Sequence, residues 1–308
     1  MHMERGAMKT VTLVLVMLFS GTAVTVYPDE TAESVYAQSQ KVVVPIQELQ
    51  SICTPGLPQS IQKVPTFGTG FFVLRDEPGS KSLWLVTARH VVEPHADMLA
   101  KGRIGAESKT SYMTLPRAQW VFHPNPPKPA TLPIDVAVMK VKADGAIAFR
   151  YCPAQCSEDL KLRKPFDNQL GDKPEPTNHA LFFGYPEGDV IPGELPPFVR
   201  SGIVAYAETN PQMKISGLPL ADDSIFFIDA PSFGGNSGGP VMREPDPFHL
   251  QVQLFGLVTG SSPSHSYTIV TSVGRIKETI DFAAAQQAAI PPQYSWSTTP
   301  PSFSHSCK

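Results

Sequence analysis

Ser232-Phe233-Gly234-Gly235-Asn236-Ser237-Gly238-Gly239-Pro240 places a serine inside a run of four glycines. Glycine takes positive φ without steric cost and lets the backbone come close to a ligand. In such a turn the amide N–H groups can converge on one point beside the hydroxyl. Acyl transfer needs that pairing, because the amides stabilise the oxyanion formed when the hydroxyl attacks a carbonyl. Gly, Ser and Asn also gather in ordinary tight turns for conformational reasons. The rest of the chain has to decide between the two.

A serine is a weak nucleophile on its own and needs a base, with a third group to orient that base. Of the eight histidines, His2, His95, His123, His179, His249, His265 and His305 lie in polar or Pro-rich surroundings. His90 ends the apolar run Leu83-Trp84-Leu85-Val86-Thr87-Ala88-Arg89-His90, which follows the turn-like Glu77-Pro78-Gly79-Ser80. That pattern predicts a buried strand delivering an imidazole to a cleft. Asp135 opens a second apolar run, Asp135-Val136-Ala137-Val138-Met139. A carboxylate at the edge of a buried strand is costly, and pairing with a histidine N–H offsets the cost. The candidate nucleophile, base and orienting acid therefore occur in the order His90, Asp135, Ser237.

With these pieces in place, the chain resembles the trypsin/chymotrypsin-like serine peptidases, in particular bacterial members of the HtrA type. The resemblance is carried by Gly68-Thr69-Gly70-Phe71-Phe72-Val73, Thr87-Ala88-Arg89-His90-Val91-Val92, Asp135-Val136-Ala137-Val138, Gly184-Tyr185-Pro186, Ser201-Gly202-Ile203-Val204, Asp229-Ala230-Pro231, Gly235-Asn236-Ser237-Gly238-Gly239-Pro240 and Gly256-Leu257-Val258. These occur in the family's order between residues 42 and 282. The resemblance implies an all-β fold of two six-stranded antiparallel barrels followed by a C-terminal helix. It implies Ser237 as nucleophile, His90 as general base and then acid, and Asp135 as the group that fixes the His90 tautomer. The backbone N–H groups of Gly235 and Ser237 would form the oxyanion hole. The Thr259 hydroxyl matches a position that supports the catalytic Asp, although a β-branched residue in a strand needs no such role.

The departures from the family also inform. Animal zymogens place an Asp before the nucleophile to pair with a newly cut N-terminus, whereas this chain has Asn236, which cannot form that ion pair. Lys41-Val42-Val43-Val44 replaces the usual Ile-Val-Gly-Gly start, and Val91 stands where animal enzymes often have a cysteine. The residues after the peptidase region are too few for a PDZ domain, which argues against a full HtrA protease.

Composition supports a globular β-protein. The chain is 42% hydrophobic and 17% charged, sufficient for a sizeable core. A net charge of −3 without a basic stripe argues against a nucleic-acid or membrane-surface partner. Frequent Gly and Pro separate short apolar runs such as Leu181-Phe182-Phe183 and Ile225-Phe226-Phe227-Ile228, a pattern of barrels and loops. The one helical period begins at Val273, with Ile276, Ile280 and Ala283 or Ala284 on one face.

The expected layout is a signal peptide and leader over 1–37, a peptidase domain over 41–284, and a Pro/Ser-rich tail over 288–308. Within the domain, the first barrel covers about 41–150, a linker 151–178, the second barrel 179–274 and the helix 273–287. Met8-Lys9 followed by Val11–Phe19 and small residues reads as a secretory signal, with cleavage after Ala23 or Ala37. The alternative is an uncleaved anchor, for which the apolar run is short. A secreted or periplasmic location makes the four cysteines candidates for disulfides. Cys152–Cys156 with Cys53–Cys307 is the preferred of three possible pairings. No C-x-x-C pair suggests zinc, so neither metal nor cofactor is expected.

The resemblance implies a primary substrate pocket near Pro231, Gly260, Ser261 and His265. None of these is acidic, so a preference for Arg or Lys before the scissile bond is not supported, and a small or medium apolar side chain is expected. The partner would be a protein or peptide substrate, and the activity that of a serine endopeptidase acting through an acyl-enzyme. The alternatives are a catalytically silent member serving as a binding module, or an esterase-type serine hydrolase. An α/β-hydrolase has the reverse order, serine before acid before histidine.

Overall fold

The computed structural model describes residues 42–52, 60–77, 80–94, 98–104, 109–124, 133–142, 148–151, 174–186, 196–206, 214–215, 218–219, 225–244, 253–262, 264, 266–287 and 296–297. The leader, the four cysteines, His265 and most of the linker and tail lie outside these residues.

The first lobe is a sheet of eight strands: β1 Val43–Ile52, β2 Ser60–Glu77, β3 Ser80–Thr87, β4 Met98–Ile104, β5 Lys109–Leu115, β6 Val121–Phe122, β7 Ala137–Val141 and β8 Phe149–Tyr151. Seven of them follow the order β5-β4-β1-β2-β3-β7-β6, and β8 pairs with β2 off this path. The second lobe holds β9 His179–Gly184, β10 Phe198–Tyr206, β11 Lys214–Ile215, β12 Leu218–Pro219, β13 Ile225–Asp229, β14 Pro240–Arg243, β15 Leu254–Ser261 and β16 Thr268–Ser272. Six of these close into a barrel in the order β10-β13-β16-β15-β14-β9. Closure leaves no open edge in this six-stranded barrel, while β11 and β12 pair with each other outside it.

The second lobe thus has the expected six-stranded barrel, and the first carries more strands than the expected six. The β2–β8 pair is also parallel, with Val73 opposite Phe149 and Arg75 opposite Tyr151. This departs from an all-antiparallel first lobe, because the chain returns after β7 alongside the far half of the long strand β2.

The apolar run before His90 becomes the middle of the first sheet. β3 lies between β2 and β7, and Leu83, Trp84, Leu85 and Val86 are all buried. Covered on both faces, such a strand reads as a continuous apolar run. Its register brings the end of β3 and the start of β7 beside the interior of β2: Thr87 of β3 pairs with Gly70 of β2 on one side and Ala137 of β7 on the other. Whatever follows Thr87, precedes Ala137 or flanks Gly70 is thereby gathered at one edge.

The helix Val273–Gln286 leaves β16 without a connecting loop and packs back onto the first lobe. Its buried face, Val273, Ile276, Ile280 and Ala283, belongs to the same core as Leu83, Trp84 and Val138. Polar contacts fix its outer side: Arg75 Nε to Asp281 Oδ1 at 2.9 Å, and His123 Nε2 to Glu278 Oε2 at 2.9 Å. Further on, Trp296 meets the Phe72 ring edge-on at 6.0 Å, and Ser297 pairs with Tyr112 of β5. Phe183, Tyr185, Leu254 and Leu257 of the second lobe join the first-lobe core, so the two lobes share apolar packing at their junction.

Candidate active site

His90 sits one residue inside the short helix Arg89–Val92, which begins where β3 ends. Val91 and Val92 are buried and hold this turn against the core. Arg89 is clamped by Glu93, with Nε and Nη2 donating at 2.9 and 2.6 Å, and its guanidinium lies 4.9 Å from the Phe122 ring centroid. Anchored on both sides, the His90 side chain faces outward and is 49% exposed.

Asp135 is held between buried Ile134 and Val136, just ahead of β7. Its two oxygens have separate tasks. Oδ1 accepts the His90 backbone N–H at 2.9 Å, and Oδ2 faces ring Nδ1 at 2.6 Å. The carboxylate therefore favours the tautomer with the proton on Nδ1 and leaves Nε2 as an acceptor. Burial disfavours the charged ring, but the hydrogen bond and charge of Asp135 outweigh it, and the His90 pKa is raised above its ordinary value.

Ser237 lies on the turn between β13 and β14. Gly235 has φ +88° and Gly238 φ +83°, a region that L side chains rarely occupy. The turn is closed internally by Asn236 N–H to Phe233 O at 3.1 Å and Gly239 N–H to Asn236 O at 2.9 Å. It is tied to β15 by Gly238 N–H to Val258 O at 2.7 Å. Among the described residues, the N–H groups of Gly235 and Ser237 have no protein acceptor. Two unspent donors flank the serine as an oxyanion site requires. No hydrogen bond joins Ser237 to His90 among the described residues; such bonds often form only when substrate is present.

The first lobe holds the turn through Thr69. Its N–H donates to Ser237 O at 2.7 Å, and its hydroxyl donates to Gly235 O at 2.7 Å while accepting from Tyr185 N–H at 3.1 Å. Thr87 in turn donates to Thr69 O at 2.7 Å. The fit at Gly238 is equally tight: a Cβ there would lie 2.1 Å from Thr69 O and 2.2 Å from Thr87 Oγ1. Thus the β3 end that leads to His90 also braces the serine turn. Thr69 and Thr87 are the residues that sequence reading passed over. Both stand inside quoted motifs, but a threonine in a strand gives no sign of which carbonyl its hydroxyl will meet.

The other expected site residues fall as follows. The Thr259 hydroxyl donates to Ile269 O at 3.3 Å and accepts from Thr271 Oγ1 at 3.4 Å. It makes no bond to Asp135, since Thr259 lies in the β15–β16 ladder. Asn236 is buried and packs on Gly184, and its Nδ2 has no hydrogen-bond partner among the described residues. Pro231 is exposed, and Ser232 Oγ donates to Gly260 O at 3.2 Å, bridging the two segments expected to wall the pocket. Gly260 and Ser261 close β15, and His265 lies outside the described residues. Among the described residues, no cluster of three or more His, Cys, Asp or Glu could hold a metal ion.

Two β-lobes joined at a shared core, with a C-terminal helix folded back across them, define the chymotrypsin-like architecture. The chain belongs to the trypsin-like peptidase domain family, whose model matches residues 68–246. Among solved structures it is similar to the MamO protease domain from Magnetospirillum magneticum in its apo form. The identity is 14%, the TM-score 0.46, and the match covers 79% of this chain and 97% of that one. No curated protein matches the chain.

Proposed function

We propose that this protein is a secreted serine endopeptidase that hydrolyses peptide bonds through His90, Asp135 and Ser237. One observation carries the reading: Asp135 spends one oxygen on the His90 backbone and the other on Nδ1, so Nε2 is left free to accept a proton. In the proposed cycle, Ser237 Oγ attacks the scissile carbonyl and gives its proton to His90 Nε2. The carbonyl oxygen becomes an oxyanion held by the N–H groups of Gly235 and Ser237. Collapse breaks the C–N bond, His90 protonates the leaving amine, and the acyl group stays on Ser237. Water, deprotonated by His90, then releases the acid and restores the serine. Export through the N-terminal signal-like segment would bring the enzyme to protein or peptide substrates in a secreted or periplasmic location.

A fluorophosphonate probe tests the chemistry without knowledge of the substrate. Ser237 of the mature protein should be labelled, labelling should vanish in Ser237→Ala and fall sharply in His90→Ala. A folded Ser237→Ala protein that still labels strongly would sink the assignment. The second reading is a silent member of the family that binds peptides without cutting them. Complete failure of the folded wild-type protein to label would select that reading.

A further inference from the structure

Arg200 lies near the start of β10 with its guanidinium 4.4 Å from the centroid of the Phe233 ring, and its Nη1 donates to Pro231 O at 3.3 Å. Both contacts are to the segment that runs into Ser237, four and six residues upstream of it. The side chain is half-buried, and among the described residues no carboxylate forms an ion pair with it. Partial burial lowers its pKa, which agrees with a cation facing no anion among the described residues. Of the five guanidinium N–H groups, one is used on Pro231. The rest retain the planar fork that matches a carboxylate in a bidentate pair.

Partial burial of a cation without a counter-charge has a cost, and stacking on an aromatic face offsets part of it. Among the described residues Arg200 has no anion for a partner beside the nucleophile turn, and a bound ligand can supply one. We propose that Arg200 receives a substrate carboxylate close to the scissile bond, so that the enzyme selects acidic peptides. The proposal rests on the peptidase reading and replaces the apolar preference expected from the sequence. The carboxylate can come from a Glu or Asp side chain or from the free C-terminus of a peptide, and the chemistry at Arg200 is the same.

Binding, measured on the non-cleaving Ser237→Ala protein, separates this idea from catalysis, which the fluorophosphonate reports independently. Blocked peptide libraries with Glu or its neutral isostere Gln at each position around the bond are titrated by fluorescence anisotropy, each with an amidated and a free C-terminus. The expected result is about ten- to a hundredfold tighter binding of the carboxylate-bearing member at one position or at the free terminus, the scale of a hydrogen-bonded charge pair. Preference among amidated peptides identifies a side chain, and preference confined to free termini identifies the α-carboxylate. Adding Arg200→Gln should bring the ratio to within about twofold of one. Arg200→Lys keeps the charge but loses the fork, and should give an intermediate ratio that falls with added salt. A ratio near one with Arg200 present, or one that survives Arg200→Gln in a folded protein, overturns the proposal. If Arg200→Gln does not fold, a ratio unchanged by both Arg200→Lys and salt overturns it.

Discussion

Asp135→Asn keeps the volume of the site and changes one hydrogen-bonding atom. Asp135 Oδ1 accepts the His90 backbone N–H at 2.9 Å, and Oδ2 faces Nδ1 at 2.6 Å. An amide offers a single oxygen to these two donors. The backbone N–H cannot change its role, whereas the ring can. If the Asn oxygen stays with the backbone, its NH₂ group faces Nδ1 and forces that nitrogen to become an acceptor. The ring proton then moves to Nε2, which can no longer take the Ser237 proton. If the amide flips, the backbone donor is left unpaired at about 1–3 kcal/mol. The first arrangement costs little stability and removes the base. Activity should fall about 10⁴-fold near neutral pH, equivalent to about 5.4 kcal/mol of transition-state stabilisation. The pH profile supplies a second readout. Burial acts against the charged ring, and Asp135 more than compensates. The wild-type acid limb should therefore lie above pH 6.5, with activity lost as pH falls through the raised pKa. Removing the Asp135 charge leaves the burial effect unopposed, and the limb should move to lower pH. The rate of fluorophosphonate labelling between pH 5 and 9, with thermal melting as a fold check, measures both. A folded variant within tenfold of wild type, or a limb that does not move, would refute this account of the dyad.

Gly235→Ala forces a Cβ into a residue with φ +88°, at about 1–2 kcal/mol of strain, and turns its N–H away from the oxyanion position. The labelling rate should fall about 10²–10³-fold while the fold survives. Thr69→Val leaves Gly235 O and Tyr185 N–H without their hydroxyl partner inside the lobe junction. Denaturant melts should show about 2–5 kcal/mol lost, with labelling reduced as the turn loosens; a loss below about 0.5 kcal/mol would remove Thr69 from its bracing role. For His123, burial outweighs the pull of Glu278 and lowers the pKa below its ordinary value. Its neutral form is the one that fits, so the stability it contributes is present above about pH 6.5 and is lost as pH falls towards the lowered value. His90 acts with the opposite sign, which makes the informative measurement a comparison of variants. The drop in melting temperature from pH 7.5 to 5 should be smaller in His123→Gln than in wild type, and an equal drop would contradict the sign.

The two strands that flank the site, β3 leading to His90 and β7 following Asp135, were legible because burial on both faces leaves a continuous apolar run. Leu83 to Val86 and Val136 to Met139 could hardly be anything else. The C-terminal helix was legible from its period, and its apolar face does pack inward through Ile276, Ile280 and Ala283. The parallel β2–β8 pair was not, since a three-residue strand carries too little pattern to disclose its partner or direction. Nor was the destination of the helix, because Glu278 and Asp281 on its outer side resemble ordinary solvated charges until His123 and Arg75 are placed opposite them.

The sequence by itself determined the family, the order His90, Asp135, Ser237, and the need for glycine around the serine. These are local facts, set by residue type, strand patterning and the steric demands of positive φ. Tertiary structure alone decided which hydroxyl braces the serine turn, that Thr259 faces Ile269, and that Arg200 lies over the Phe233 ring. Each depends on strand register and on contacts between distant segments. A threonine or arginine has the same composition whether it faces water, a carbonyl or a ring, so its partners exist only once the sheets have closed.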